Sequence, residues 1–325
     1  MAVTIKDVAV AAGVSAATVS RVLAGGASVV EEKRRAVHDA CATLGYRPDT
    51  LAAALRRGTS GSVGMLIPDI TTPFFPAVVR SVEHELAKTG TDLLFCDADN
   101  DVKAEAQRVE TLLRRRVDTL LVCPVDSRAS RRALRAAARH VRILQFERYA
   151  LEDADYVGVD QNAGMAQVAE HLRSRRVSDA VFLGLQERIS SIADRATAFQ
   201  SACLDNGISL RATVTLPRPD MPAARAYARE LLAMGPMPGA VVCANDEVAL
   251  GLLTELRTGG VRCPEDVMII GYDDVPAAEL MGLTTVRQPL HELGREAARM
   301  LQYPSDAVRQ VRLAPSLVVR ETTAS

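Results

Sequence analysis

The sequence is poor in the features that would place it in a membrane, a disulfide scaffold or a metal site. No run of apolar residues approaches the roughly 18 needed to cross a bilayer. Residues 1–9, MAVTIKDVA, lack the basic stretch and apolar core of a secretory leader, so a cytoplasmic location is expected. The six cysteines (41, 96, 123, 203, 243, 263) form no CxxC pair and mostly sit in apolar runs, which reads as buried thiols. Catalytic signatures are missing too. RRGTSGS comes near a nucleophile elbow but has Ser62 where the last glycine is required. There is no GxxxxGK[ST] phosphate loop and no HExxH, and the five histidines (38, 84, 140, 171, 291) are scattered. These absences argue against an enzyme and imply no metal and no cofactor. Arginine clusters at 114–116 and 131–142 have helical spacing and read as solvated helix faces.

What is present is a long chain of ordinary globular composition. Its 325 residues, 48% hydrophobic and 24% charged, have room for two or three domains. The formal net charge of −1 hides an asymmetry. Residues 1–60 carry eight Lys and Arg against five Asp and Glu, and the remainder carries 31 against 35. A basic head on an acidic body suits contact with phosphates.

Residues 4–23, TIKDVAVAAGVSAATVSRVL, read as two short helices joined by a tight turn. Ile5, Val8, Ala9 and Ala12 share one face of the first. Gly13 sits where a left-handed residue closes a helix, and Ser15 where an N-cap belongs. On the second helix Val19, Val22 and Leu23 face inward, whereas Ala17, Ser20 and Arg21 face away from the seam. Such a pair holds its second helix outward, as a helix-turn-helix does to enter a DNA major groove. Residues 31–44 form a third helix, but Val30 stands at its cap position and predicts a weak start.

The letters TIKDVA, AAGVS and TVSRVL resemble the head of the lactose-repressor (LacI/GalR) family of bacterial transcription regulators. IPDITTPFF, YVGVDQNAG, ANDEVALG, IGYDD, LTTVRQP and LVVRETT continue the resemblance in the family's order over residues 3–323. The resemblance implies that GYRPDTLAAALRRGTSG holds a hinge helix that folds on DNA. In it Asp49 caps and Leu55 enters the minor groove as an apolar wedge. Ser15, Ala16, Ala17, Thr18, Ser20 and Arg21 are the candidate DNA-reading residues. Ala16 and Ala17 can touch a thymine methyl, Arg21 can grip a guanine bidentately, and the hydroxyls suit phosphates.

From residue 62 the pattern changes to short apolar runs alternating with amphipathic helices, among them 77–89, 104–115 and 130–140. The alternation resumes after Asp160. Repeated βα predicts parallel sheets covered on both faces, in two Rossmann-like halves. The expected fold is therefore an all-α helix-turn-helix head on an α/β core like that of periplasmic binding proteins. The boundaries read as 1–47 for the head, 48–60 for the hinge and 61–325 for the core. Within the core one half spans 61–159 with 289–316, and the other 160–288 with 317–325. Three crossings between halves leave a cleft at the carboxyl ends of the strands.

Five residues are candidates for a ligand in that cleft. Asp273 follows the strand VMIIGY, where a carboxylate can accept two sugar hydroxyls or else cap the next helix. By the resemblance, Arg195 in ADRATAF matches the family's ligand-contacting arginine, although Ala198 stands where relatives have glycine. Arg148 belongs to a Glu147–Arg148 pair where relatives carry Asp-Arg. Asn245 can cap a helix or face the cleft. Phe74 or Phe75 can stack on a ring while the other joins the core. The two arginines favour an anionic ligand over a neutral one, so a sugar or sugar acid is expected.

The resemblance implies a homodimer that binds a pseudo-palindromic double-stranded operator and is released by the small-molecule effector, with no membrane partner. A tetramer-forming leucine-rich tail is not seen. The alternatives are an effector-activated regulator, or a sugar-binding protein or enzyme with the same clamshell.

Overall fold

A computed structural model describes residues 3–23, 29–46 and 60–324. The chain divides into two compact units, 1–60 and 61–325.

In the first unit helices α1 (Ile5–Ala11), α2 (Ala16–Leu23) and α3 (Glu31–Leu44) enclose Val8, Ala9, Val19, Val22, Val37 and Ala40. Local chemistry sets each boundary. The Asp7 carboxylate accepts from the Thr4 N–H at 2.8 Å and from its hydroxyl at 2.7 Å, which ties down the start of α1. Gly13 adopts φ 64°, the left-handed turn between helices. Ser15 Oγ accepts from the Thr18 N–H at 3.1 Å, filling one of the free donors that begin α2. Val30 offers no side-chain cap to α3, as its chemistry requires, and Glu31 and Glu32 in the first turn complement the helix dipole there instead.

The second unit contains two six-stranded sheets. The first has the order β11-β5-β4-β3-β1-β2 and is built from β1 (Ser62–Ile67), β2 (Asp92–Asp97), β3 (Thr119–Val122), β4 (Arg142–Phe146), β5 (Asp155–Val159) and β11 (Gln310–Leu313), all parallel. The second has the order β12-β10-β9-β8-β6-β7, from β6 (Asp179–Leu185), β7 (Ser209–Thr215), β8 (Ala240–Cys243), β9 (Met268–Asp273), β10 (Thr284–Arg287) and β12 (Ser316–Val318). Only β12 runs antiparallel to its neighbour. The chain passes between sheets after β5, after β10 and after β11. Central strands such as SVGMLI, TLLV and AVVC are buried along their whole length, because helices cover both faces.

One helix starts earlier than its sequence pattern suggests. The helix expected over 77–89 runs Phe74–Ala87, directly after Pro73. This puts Phe74 and Phe75 in its first turn, both buried, with their rings edge to face at 5.2 Å. Neither is left free on a loop, because packing of two aromatic rings outweighs the β-leaning preference of the Pro-flanked segment. The helices expected over 104–115 and 130–140 run Val102–Arg114 and Arg131–Ala137. No helix among the described residues is long and apolar enough to cross a membrane.

Candidate functional site

Between the carboxyl ends of the two sheets lies a cleft with two adjoining compartments. The inner one is small, about 40 Å³, and Phe74, Arg148, Arg195, Asn245 and Asp273 all line it. The outer one is about 400 Å³ and shares Thr72, Arg148, Ile192 and Asn245 with the inner. Residues from both halves contribute to each.

Asp273 ends β9 with φ 114°, a backbone conformation a non-glycine residue adopts only when its surroundings enforce it. It does not cap the following helix, whose cap position is Val275. Its Oδ1 accepts from Gln288 Nε2 at 2.7 Å. Burial pushes its carboxyl well above the usual range, and the Arg195 guanidinium opposes that shift. Gln288 lies just beyond β10 in the LTTVRQP segment, is buried, and keeps Oε1 unpartnered.

Arg195 projects from the helix Ser190–Asp205 and is 2% exposed. Its Nε donates to Gln161 Oε1 at 3.0 Å and its Nη1 donates to the Ala244 carbonyl. Nη2 lies 3.9 Å from Glu147, and the guanidinium rests over the Tyr272 ring, 3.3 Å from its centroid. The charge of Arg195 is therefore used within the protein. This corrects the expectation that two arginines favour an anion: six carboxylates and four arginines line the two compartments together.

Glu147 is 5% exposed, in left-handed backbone (φ 58°), with Oε2 unpartnered. Burial raises its carboxyl, against the pull of Arg195 and Arg148. Arg148 lies 5.7 Å from the Phe75 ring centroid and leaves a buried Nη1 without a partner. Gln161 Nε2 and the Tyr272 hydroxyl are likewise buried and unpartnered. Such a density of unsatisfied donors and acceptors is costly unless a polar ligand or water meets them. Neither Gln161 nor Gln288 is legible as a site residue from sequence. Each sits beside a chain crossing, and that placement is the one signal that could have pointed to it.

Asn245 does two jobs at once. Its Oδ1 accepts from the Val248 N–H at 2.9 Å as an N-cap, and its Nδ2 donates to the Pro219 carbonyl at 3.0 Å. Next to it Asp246 is fully buried. Its Oδ1 accepts from the Thr285 hydroxyl at 2.6 Å, and its Oδ2 accepts from the Val275 N–H at 2.9 Å. A Cβ at Gly271 would collide with that carboxylate, which explains the glycine of IGYDD. Burial pushes Asp246 up to about 7, opposed by those hydrogen bonds. A carboxyl raised in the fold stabilises below its unfolded value near 4 and loses that contribution as pH rises through about 7. Wild type should therefore lose on the order of 2–4 kcal/mol relative to Asp246→Asn between pH 4 and 8. The Asn amide can still donate to Thr285 and accept from Val275. Denaturant titrations of both proteins across that range check it, and parallel curves would refute it.

On the head, Ser15, Ala17 and Arg21 are exposed, and Ala16, Thr18 and Ser20 are half-buried along α2. The Ser15 and Thr18 hydroxyls lie 2.9 Å apart. Leu55 lies outside the described residues. Among the described residues no group of His, Cys, Asp or Glu is arranged to hold a metal ion.

Residues 4–49 match the model for bacterial regulatory proteins of the lacI family, and residues 169–323 match that of a periplasmic binding protein-like domain. The ribose operon repressor of Bacillus subtilis (strain 168) is 34% identical over 92% of this chain and 90% of its own. The lac repressor dimer bound to operator and the anti-inducer ONPF superposes with a TM-score of 0.87 at 26% identity, covering all of both chains. A LacI family transcriptional regulator from Enterococcus faecium with bound ribose gives a TM-score of 0.69 at 28% identity, over 81% of this chain and 98% of that one. The relatives are transcriptional regulators rather than enzymes. With a reading helix on a basic head, a ligand-sized cleft between two parallel sheets, and these likenesses along almost its whole length, the chain belongs to the lacI family of bacterial regulatory proteins.

Proposed function

We propose that this protein is a cytoplasmic repressor, a homodimer whose two heads read the halves of a pseudo-palindromic operator, released when a sugar occupies the cleft. The observation that carries the reading is the inner compartment. Its walls come from both halves of the core and hold unpartnered donors and acceptors that suit a hydroxyl-rich ring. Phe74 supplies an apolar wall, Asp273 and Arg148 supply hydrogen bonds, and Asn245 and Arg195 shape the floor. A ligand spanning the halves favours one angle between them, and such coupling is typically about 1–3 kcal/mol. The division into head (1–47), hinge (48–60) and two-part core assigns reading, dimer-dependent wedging by Leu55, and sensing to separate segments.

In the head, Arg21 is the side chain on α2 able to make a bidentate guanine contact. Ser15, Thr18 and Ser20 serve phosphates, and Ala16 and Ala17 meet base methyl groups. Arg21→Ala should lower specific operator affinity by about 1–3 kcal/mol with little change on random DNA at the same salt. An equal loss on both would make Arg21 a phosphate contact. The full reading is tested by titrating the operator complex with sugars that raise the protein's melting temperature. Release by such a sugar supports it, tightening reverses the sign of regulation, and no response refutes it.

A further inference from the structure

The outer compartment has its own chemistry. Six charged residues line it: Asp69, Asp126, Asp220 and Glu247 against Arg188 and Arg218. Arg188 pairs with Asp126 at 3.4 Å and Arg218 with Asp220 at 3.3 Å. Both arginine side chains are 68% exposed, so water screens them, whereas Asp69 and Asp126 are almost buried. Two carboxylates remain over. Asp69 stands after β1 on one half, held rigid by Thr71 (2.8 and 2.6 Å) and by Asn100 Nδ2 at 2.8 Å. Glu247 stands in the first turn of the helix Asp246–Thr258 on the other half and makes no hydrogen bond or ion pair. Burial and the charges of Asp220 and Asp69 push its carboxyl up, a sign that the two halves present like charge to each other here. The inner compartment opens into this space and contributes a second feature, the nine-tenths-buried Glu147 with its unpartnered Oε2.

Resting on the reading of the cleft as the effector site, we propose that the effector is a glycoside or sugar bearing a protonated amine, with its ring in the inner compartment and its ammonium group between Asp69 and Glu247. The amine supplies the positive charge that the outer wall lacks. It also bridges one carboxylate from each half, so it favours the closed angle in a way a neutral hydroxyl does not. A compartment of about 400 Å³ beside the small inner one accommodates a substituent larger than a hydroxyl.

The test uses the full chain and matched pairs of probes: glucosamine and glucose, galactosamine and galactose, and the β-1,4-linked glucosamine dimer and cellobiose. Affinities are measured calorimetrically at a pH that protonates the amines. In the tightest pair the amine should bind about tenfold or more tightly than its neutral partner. High salt should shrink that ratio. Glu247→Gln should erase it while leaving the neutral sugar's affinity within about twofold. A neutral member that binds as well as its amine, a preference that survives Glu247→Gln, or no amine bound at all would each overturn the proposal. So would calcium alone raising the neutral sugar to the amine's affinity, since the site would then want a free cation. Asp273→Ala separates this failure from that of the cleft reading. If it abolishes binding of a neutral sugar, the cleft is the effector site whatever its charge preference. If it binds every probe as wild type does, the cleft reading itself has failed.

Discussion

Asp273→Ala should leave a protein that still binds operator and no longer responds to effector, with effector affinity lowered on the order of 100-fold or more. The carboxyl is held at the inner end of the cleft by the φ 114° backbone and by Gln288, which engages Oδ1 and leaves Oδ2 turned to the ligand space. A carboxyl so placed can accept two sugar hydroxyls in a region from which water is largely excluded, where hydrogen bonds to a charged group contribute about 1.5–3 kcal/mol each. Alanine removes both and strands Gln288 Nε2. Operator affinity without effector should stay within about threefold, because no contact of Asp273 reaches the head's own core of Val8, Val19 and Val37. Asp273→Asn keeps the shape and loses acceptor strength, so it should fall between. Operator release titrated with effector for the three proteins decides the matter. If the alanine protein releases DNA at the wild-type effector concentration, Asp273 is not in the effector site.

Arg195→Leu should destabilise the core by about 3–5 kcal/mol, the usual consequence of removing one partner from a buried charge network. Four segments converge on this guanidinium: Gln161 at the first crossing, Ala244 at the end of β8, Glu147 beyond β4 and Tyr272 in β9. Leucine leaves the Ala244 carbonyl and Gln161 Oε1 without donors, and it removes the nearest cation from Glu147 and Asp273. Both carboxyls are already raised by burial, and both would rise further. The penalty should therefore grow with pH, since a carboxyl raised in the fold loses its stabilising contribution as pH climbs through its folded value. At about 2–4 °C per kcal/mol for a unit of this size, the melting temperature should drop roughly 6–20 °C. Arg195→Lys keeps the charge but not the planar fork and should recover only part of the loss. Calorimetry at acid and alkaline pH checks both parts. A leucine variant within 1 kcal/mol of wild type would show that the network contributes little net stability, as some buried ion pairs do.

The sequence by itself determined what depends on near neighbours. The turn at Gly13, the cap at Ser15, the missing cap at Val30 and the βα alternation that becomes two parallel sheets are all matters of a few consecutive residues, whose φ/ψ limits and hydrophobic period act locally. The five cleft candidates were readable as positions at strand ends, and strand ends in such sheets face the crevice. Tertiary structure alone decided what those side chains have to spend. Whether Arg195 offers its charge to a ligand depends on Gln161, Ala244 and Glu147, which lie 34, 49 and 48 positions away in the chain. Whether Phe74 and Phe75 divide between ligand and core depends on where their helix starts against the sheet. Gln288 reaches Asp273, and Asp69 opposes Glu247, because three crossings bring separate segments to one cleft. Electrostatic and hydrogen-bond partners in a low-dielectric interior are set by distance through space, and distance along the chain says nothing of it.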